Sequence, residues 1–329
     1  MSETDNIHRM TNGSGYEVWF LTFTDPETGT GYWIRSTYHA PKRGSHQAGV
    51  WFARFDPTDP SRTFGIHRRS DTWSMSTGAF AVRIGGDCFM SSGHAEGSVQ
   101  AGDRTVRWEV YYPTGAETYR LLPDIFYRGG LAPTKPFSPN VNTRITGTVW
   151  MGDERADIRD APGQQGHLYG SRHAERWAWA HCASFDGDDA VVVHALTAQG
   201  RRGPSTTPFV TSIGVWWQGR WIRLMKMSRR RDFGLGRWKI DVENRRYRLT
   251  GRVEAPVRAM LRARYEDPDG TDCYCHNSEI ASARLALIER RAGGFEEVGL
   301  FESRGTTHAE WAGRTPATAV SSEFQEVGP

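Results

Sequence analysis

A chain of 329 residues with 41 basic and 38 acidic side chains has a formal charge of only +3, which gives no general electrostatic case for nucleic acid or an anionic membrane. The length allows a full core in one or two domains, while four cysteines (Cys88, Cys182, Cys273, Cys275) are too few for a disulfide scaffold and suit reduced thiols. The polar Met1–Ser14 stretch and the lack of any apolar run of about 18 residues predict no secretion signal, no membrane span and a soluble cytoplasmic protein.

Thirteen tryptophans and 36 glycines predict many short strands joined by tight turns. Residues 16–23 alternate as a strand, and the cluster Asp25-Pro26-Glu27-Thr28-Gly29-Thr30-Gly31 turns the chain into a second strand over 32–39. There Trp33, Arg35, Thr37 and His39 share a face. Arg35 is therefore either a buried substrate-orienting or ion-pairing group, or a partly exposed structural arginine. Strands follow over 49–55, 63–68, 79–84, 88–90, 94–100 and 104–112, a spacing typical of sandwiches and barrels. Along the last of these, Arg107, Glu109 and Tyr111 share a face. Glu109 is the best-placed carboxylate of the first half if that face is inside, and otherwise forms a surface ion pair.

Residues 123–140, with four prolines and Gly129-Gly130, read as an irregular lid or connector. A hairpin at Met151-Gly152-Asp153 then delivers the chain into residues 163–182, which hold three histidines, three aromatics, two arginines and three glycines. Its first half reads as a turn. Its second half reads as a strand over 176–185, with Trp177, Trp179, His181 and Phe185 on one face and Ala178, Ala180, Cys182 and Ser184 on the other. Such a strand suits a wall between a side-chain-lined cavity and a tightly apposed second layer.

His194 alternates with Val192 and Leu196, as a core histidine does. Residues 200–208 form an exposed connector, and Gln218-Gly219 closes a two-residue hairpin between strands 209–217 and 220–227. Arg229-Arg230-Arg231 reads as a solvated loop with no recognised nucleic-acid motif around it. Further strands cover 237–241, 247–253 and 258–265, followed by the turn Asp267-Pro268-Asp269-Gly270. Cys273-Tyr274-Cys275-His276 lacks the remaining ligands of a zinc site, so no metal is expected. Over 277–289 a strand, with Leu285 and Leu287 on one face, is favoured over a helix, and beyond Arg314 the tail is expected to be disordered. No phosphate loop or nucleophile elbow is present, which argues against nucleotide hydrolysis and serine hydrolase chemistry.

Several segments, in order, resemble one family. These are Tyr32-Trp33-Ile34-Arg35, Gly97-Ser98-Val99 with Val106-Arg107-Trp108-Glu109-Val110, Ile145-Thr146-Gly147-Thr148-Val149, Gly166-His167-Leu168-Tyr169-Gly170 through Trp177-Ala178-Trp179, and His276-Asn277-Ser278-Glu279-Ile280-Ala281. The family is the lipocalin-like group of carotenoid 1,2-hydratases (hydroxyneurosporene synthases), tocopherol cyclases and fungal decalin-forming Diels–Alderases. The resemblance implies an all-β fold of two lipocalin-like (calycin-type) antiparallel β-barrels or curled sheets side by side, with the central motif near their junction. The two domains are expected over residues 1–165 and 166–329. It also implies cofactor-free work on hydrophobic polyenes or isoprenoids. His167 and Tyr169 match the His and aromatic pair associated with activity in the hydratases.

Acid-initiated addition to an alkene needs a proton donor and a pocket that tolerates a carbocation, which aromatic faces stabilise by about 2 kcal/mol each when dry. The expected catalytic residues are His167, Tyr169 and His181, and the donor is His167 or a nearby Asp or Glu. Substrate-binding candidates are Trp33, Arg35, Glu109, Arg172, His173, Trp177 and Trp179. The function expected is a cofactor-independent enzyme that hydrates or dehydrates, isomerises or cyclises a hydrophobic unsaturated molecule, isoprenoid- or polyketide-like. The alternatives are a non-catalytic carrier of the same ligand, or an interaction module that uses the exposed arginine runs. Residue by residue, the competing assignment makes Trp177 and Trp179 core, has His167 and His181 cap loop backbone, and pairs the arginines with Asp157, Asp160 or Glu175.

Overall fold

Alternation of large apolar with small or polar side chains carries through the chain, and strand follows strand. The computed structural model describes residues 3–115, 117–128 and 132–328, so Gly129-Gly130 of the expected irregular segment lie outside the described residues. Two sheets form, of 13 and 10 strands. The first uses the strands from Gly15–Thr24 through Glu154–Gly170 plus Phe324–Val327, and the second those from Arg176–Cys182 through Gly294–Gly313. Pairing is antiparallel except at the tail, where Phe324–Val327 runs parallel to Phe64–Ser70. Neither sheet closes into a barrel among the described residues. Each curls instead around its own core, built on Trp19, Phe52 and Trp108 in the first and on Ile213, Trp238 and Leu285 in the second.

A third apolar cluster joins the two sheets and includes Trp33, Trp51, Phe55, Trp177, Leu261 and Tyr265. The period-two alternation assigns the faces. On Gly15–Thr24, Trp19, Leu21 and Phe23 enter the first core while Phe20 faces the second sheet. On Arg176–Cys182, Ala178, Ala180 and Cys182 enter the second core while Trp177 and Trp179 face the first sheet.

Four expectations are corrected. The glycine-rich stretch from Gly163 is not a turn but the end of one strand, Glu154–Gly170. Its glycines permit close approach: a Cβ on Gly166 would lie 2.3 Å from the Phe20 ring. Thr134–Met151 is a strand as well, in which Pro136 pairs in register with Leu168 and the first register shift falls between Phe137 and Asn140, around Pro139. The supposed connector over 200–208 is a hairpin between Val192–Arg202 and Ser205–Trp217. The tail is ordered because Phe324 packs edge-on against Trp33 and Trp51, at 5.7 and 5.2 Å between ring centroids. Residues 277–289 lie in the long strand Asp272–Arg291, with Leu285 and Leu287 buried together, as expected.

At Tyr119–Leu121 the chain reaches across to the second sheet. Ser212 donates to the Leu121 carbonyl at 2.5 Å and Arg223 to the Arg120 carbonyl at 2.9 Å. The Tyr119 ring packs 4.0 Å from that of Trp221, and its hydroxyl sits where a Cβ on Gly214 would be. This segment straps the two sheets together on one side of their junction. No helix among the described residues is long and apolar enough to cross a membrane.

Candidate active site between the sheets

Strand register lines up one row across the facing side of the first sheet: Phe20 lies beside Arg35, Arg35 beside Trp51, and Trp51 beside His67. Opposite it, the second sheet sets Trp179 between Leu196 and Glu310, and His181 between His194 and His308. A side chain on the inner side of two stacked sheets keeps accessible surface only where the opposing sheet fails to touch it. Phe20, Trp179, Leu196, Ala198 and Glu310 all remain half-buried, so some surface stays accessible between the sheets along this aromatic patch, which we call the cleft. Phe20 and Trp179 meet edge-to-face across it at 6.2 Å.

Beside this cleft is a cavity of about 270 Å³ whose walls include Tyr16, Arg35, Trp51, His67, His173 and Tyr265. Arg35 is only 6% exposed. Its guanidinium carbon lies 4.3 Å from the Tyr265 ring centre, 5.3 Å from Trp33 and 5.6 Å from Trp51. Among the described residues it has no carboxylate in ion-pair contact, and its Nε has no hydrogen-bond partner.

The Trp177 indole donates to the Glu310 carboxyl at 3.0 Å. Burial pushes that carboxyl above the usual carboxylate range, and the Trp177 bond and the charge of Arg35 oppose this only in part. A raised value makes this carboxyl a readier proton donor near neutral pH than an ordinary glutamate is. Glu279, 1% exposed, accepts from the Thr22 hydroxyl, and burial pushes it well up.

Three histidines at the far end form a neutral chain. His181 donates from Nε2 to the Val141 carbonyl at 2.7 Å, and its Nδ1 lies 3.3 Å from that of His308, whose Nε2 is 3.1 Å from the Thr24 hydroxyl. Burial brings His181 down to about 4 and lowers His308 and His194 well below the ordinary histidine value. His194 accepts at Nε2 from the Trp179 indole at 2.8 Å, which fixes that ring in the cleft wall. The amide atoms of Gln164 and Asn277, buried near the same junction, have no hydrogen-bond partners.

Of the residues singled out from sequence, Trp33, Arg35, His173, Trp177, Trp179 and His181 come together in this intersheet region. His173 bonds Asp267 through both its backbone N and Nδ1, at 2.7 and 2.8 Å, and stacks on Tyr16 at 4.0 Å. His167 and Tyr169 do not join them. They lie on the opposite face of Glu154–Gly170, where His167 pairs with Glu17 at 2.7 Å, stacks on Trp19 and bonds the Asp5 carbonyl. Glu17 also accepts from the backbone N of Arg9 and Met10 and lies 2.7 Å from His8, so this cluster pins the amino-terminal segment. Tyr169 packs beside Phe137 at 5.9 Å. Arg172 is engaged by Asp269 and Glu175. Glu109 is exposed and accepts from the Tyr111 hydroxyl, because its face of the strand is the outer one.

Sequence reading missed Glu310, Glu279, Trp51 and Tyr265. A signal existed for the first: His308-Ala309-Glu310 sets a histidine and an acid on one face with alanine between them, as Trp179-Ala180-His181 does with its rings, and the two segments pair.

A model of the tocopherol cyclase-like family matches residues 141–312. The uncharacterized protein Rv0493c of Mycobacterium tuberculosis is 27% identical over 314 residues, which is 92% of this chain and 90% of that protein. Two solved structures share the fold: a putative AttH from Nitrosomonas europaea (TM-score 0.50, 13% identity, covering 92% of this chain and 93% of that one) and CghA with Sch210972 (TM-score 0.54, 8% identity, covering 92% and 88%). The match to the family model takes in more than half of the sequence and includes Trp177, Trp179, His181, Glu279 and Glu310, and on that basis this chain belongs to the tocopherol cyclase-like family.

Proposed function

We propose that this protein is a cyclase- or isomerase-type enzyme that acts by proton transfer on a hydrophobic, unsaturated small molecule held between its two sheets. The observation that carries this reading is the Glu310 carboxyl, bonded to Trp177, set beside Trp179 in an aromatic wall and pushed above the usual carboxylate range by burial. Glu310 gives its proton to one alkene carbon of the substrate, and the neighbouring carbon becomes cationic. Trp177, Trp179 and Phe20 offer π faces to that cation where water is excluded. An oxygen or second alkene of the same molecule closes the ring, and the proton it releases returns to the Glu310 carboxylate, so the net reaction is an isomerisation. Capture by water instead gives hydration.

A carrier needs the same cleft but no proton donor in its wall, and the Glu310 carboxyl, raised by burial, therefore favours the enzyme. The test is to extract the purified protein, identify any co-purified ligand by native mass spectrometry, and incubate that ligand with wild type and Glu310→Gln. Product from wild type and none from a variant that still binds supports the proposal. Ligand returned unchanged by wild type after prolonged incubation makes the protein a carrier.

A further inference from the structure

We propose that the cavity around Arg35 is a carboxylate-binding subsite, so that the ligand of the intersheet cleft is an unsaturated acid rather than a neutral lipid. The inference rests on the preceding reading only in assigning the cleft to the ligand's apolar tail.

A guanidinium removed from water without a counter-charge is costly, and stacking on aromatic faces offsets that cost only in part. Arg35 is in that position: 94% of its surface is covered, three aromatic rings surround it, and no carboxylate of the described residues pairs with it. Other arginines near this junction do have acidic partners. Arg314 lies 2.6 Å from Asp267, and Arg172 lies 2.8 Å from Asp269. The cavity is also lined by Arg262 and Arg264, which pair with Glu323 and Asp272, and by Glu17, Glu266, Glu323 and Glu326, none of them in ion-pair contact with Arg35. Arg35 differs in that its two terminal nitrogens have no partner among the described residues, which leaves the end of the planar fork for a carboxylate.

The dimensions divide a ligand in two. About 270 Å³ accommodates a head group with a short conjugated segment but not a long polyene. Trp51 and Tyr265, which meet edge-to-face at 5.8 Å, suit the flat part of such a head. From Arg35 the row continues to its cross-strand neighbour Phe20 and across to Trp179, which leads a tail from the cavity into the cleft. The charge is thereby placed in the cavity and the apolar tail along Phe20 and Trp179, with Glu310 close enough to Arg35 to feel its charge.

The experiment compares two polyene probes that differ in the head group, all-trans-retinoic acid and retinol, by quenching of tryptophan fluorescence. Wild type is expected to bind the acid about tenfold or more tightly than the alcohol, the scale of one charge-assisted pair. Arg35→Gln, checked for folding by circular dichroism and thermal melting, is expected to bind the two alike, and Arg35→Lys to retain part of the preference. Equal binding of the two probes by wild type overturns the proposal whether or not either variant folds, and so does a preference that survives in folded Arg35→Gln. The readout involves no turnover. Loss of head-group preference with ring-forming activity intact refutes the carboxylate subsite alone, and retained preference without any turnover refutes the cyclase reading alone.

Discussion

The indole nitrogen of Trp177 and the carboxyl of Glu310 meet at 3.0 Å across two paired strands of the second sheet, with Glu310 beside Trp179 in the register. One hydrogen bond thus ties the acid to the aromatic wall that would receive its cation.

Replacing Glu310 with Gln keeps an acceptor for Trp177 but removes the transferable proton. Product formation is expected to fall about 10²- to 10⁴-fold with little change in melting temperature. In wild type the rate is expected to decline as pH rises through the raised Glu310 value, since only the protonated acid acts. Product quantified by mass spectrometry across a pH series checks both points, and a rate that climbs steadily into alkali contradicts the assignment.

Stability is expected to fall in two stages on acidification. His181 is held neutral down to about 4, whereas in the unfolded chain it gains a proton near its ordinary value of 6.5, so its contribution is lost as pH drops from about 6.5 toward 4. Burial would raise the carboxyls of Glu17 and Asp267. Hydrogen bonds from His167 and His8 to the first, and from His173 and Arg314 to the second, outweigh that and bring both to about 2. Their contribution is present above their ordinary values of 4.5 and 3.8 and is lost as pH falls toward 2. Glu17→Gln should cost about 1–3 kcal/mol at neutral pH and flatten the lower stage, as read from thermal melts at stepped pH.

The strap over the junction depends on a missing side chain. A Cβ on Gly214 would lie 2.0 Å from the Tyr119 hydroxyl. Gly214→Ala is expected to cost about 1–3 kcal/mol and to speed tryptic cleavage after Arg120 or Arg128. Limited proteolysis with unchanged cutting at those arginines would show that other contacts hold the strap.

Two tryptophans should separate folding from binding. Trp19 is fully buried and donates to the Asn6 carbonyl at 2.8 Å, so Trp19→Ala should cost about 3–5 kcal/mol. Trp179 is half-buried in the cleft wall. Trp179→Ala should cost clearly less in a denaturant titration while weakening polyene binding more than any other single cleft substitution. Equal stability losses for the two would mean that Trp179 is ordinary core.

The strand pattern was legible because a period of two is local: the alternation around Trp177 and Trp179 already separated a small face from an aromatic one. Glycine misled for the same local reason. Gly163, Gly166 and Gly170 are equally compatible with a turn and with a strand that needs room for a neighbour, and only the position of Phe20 over Gly166 decides between them. Glu310 was invisible as an acid because its surroundings, Trp177 and Arg35 among them, are far away in sequence.

The sequence alone determined that this is an all-β protein with a strand that turns its tryptophans to one side and its small residues to the other, since side-chain alternation follows from backbone geometry. Tertiary structure decided the membership of the site. The chain passes from the first sheet to the second between Gly170 and Arg176, which leaves His167 facing one core and Trp177 facing the junction. Which groups share a cavity depends on how two curled sheets are laid against each other, and no local period encodes that.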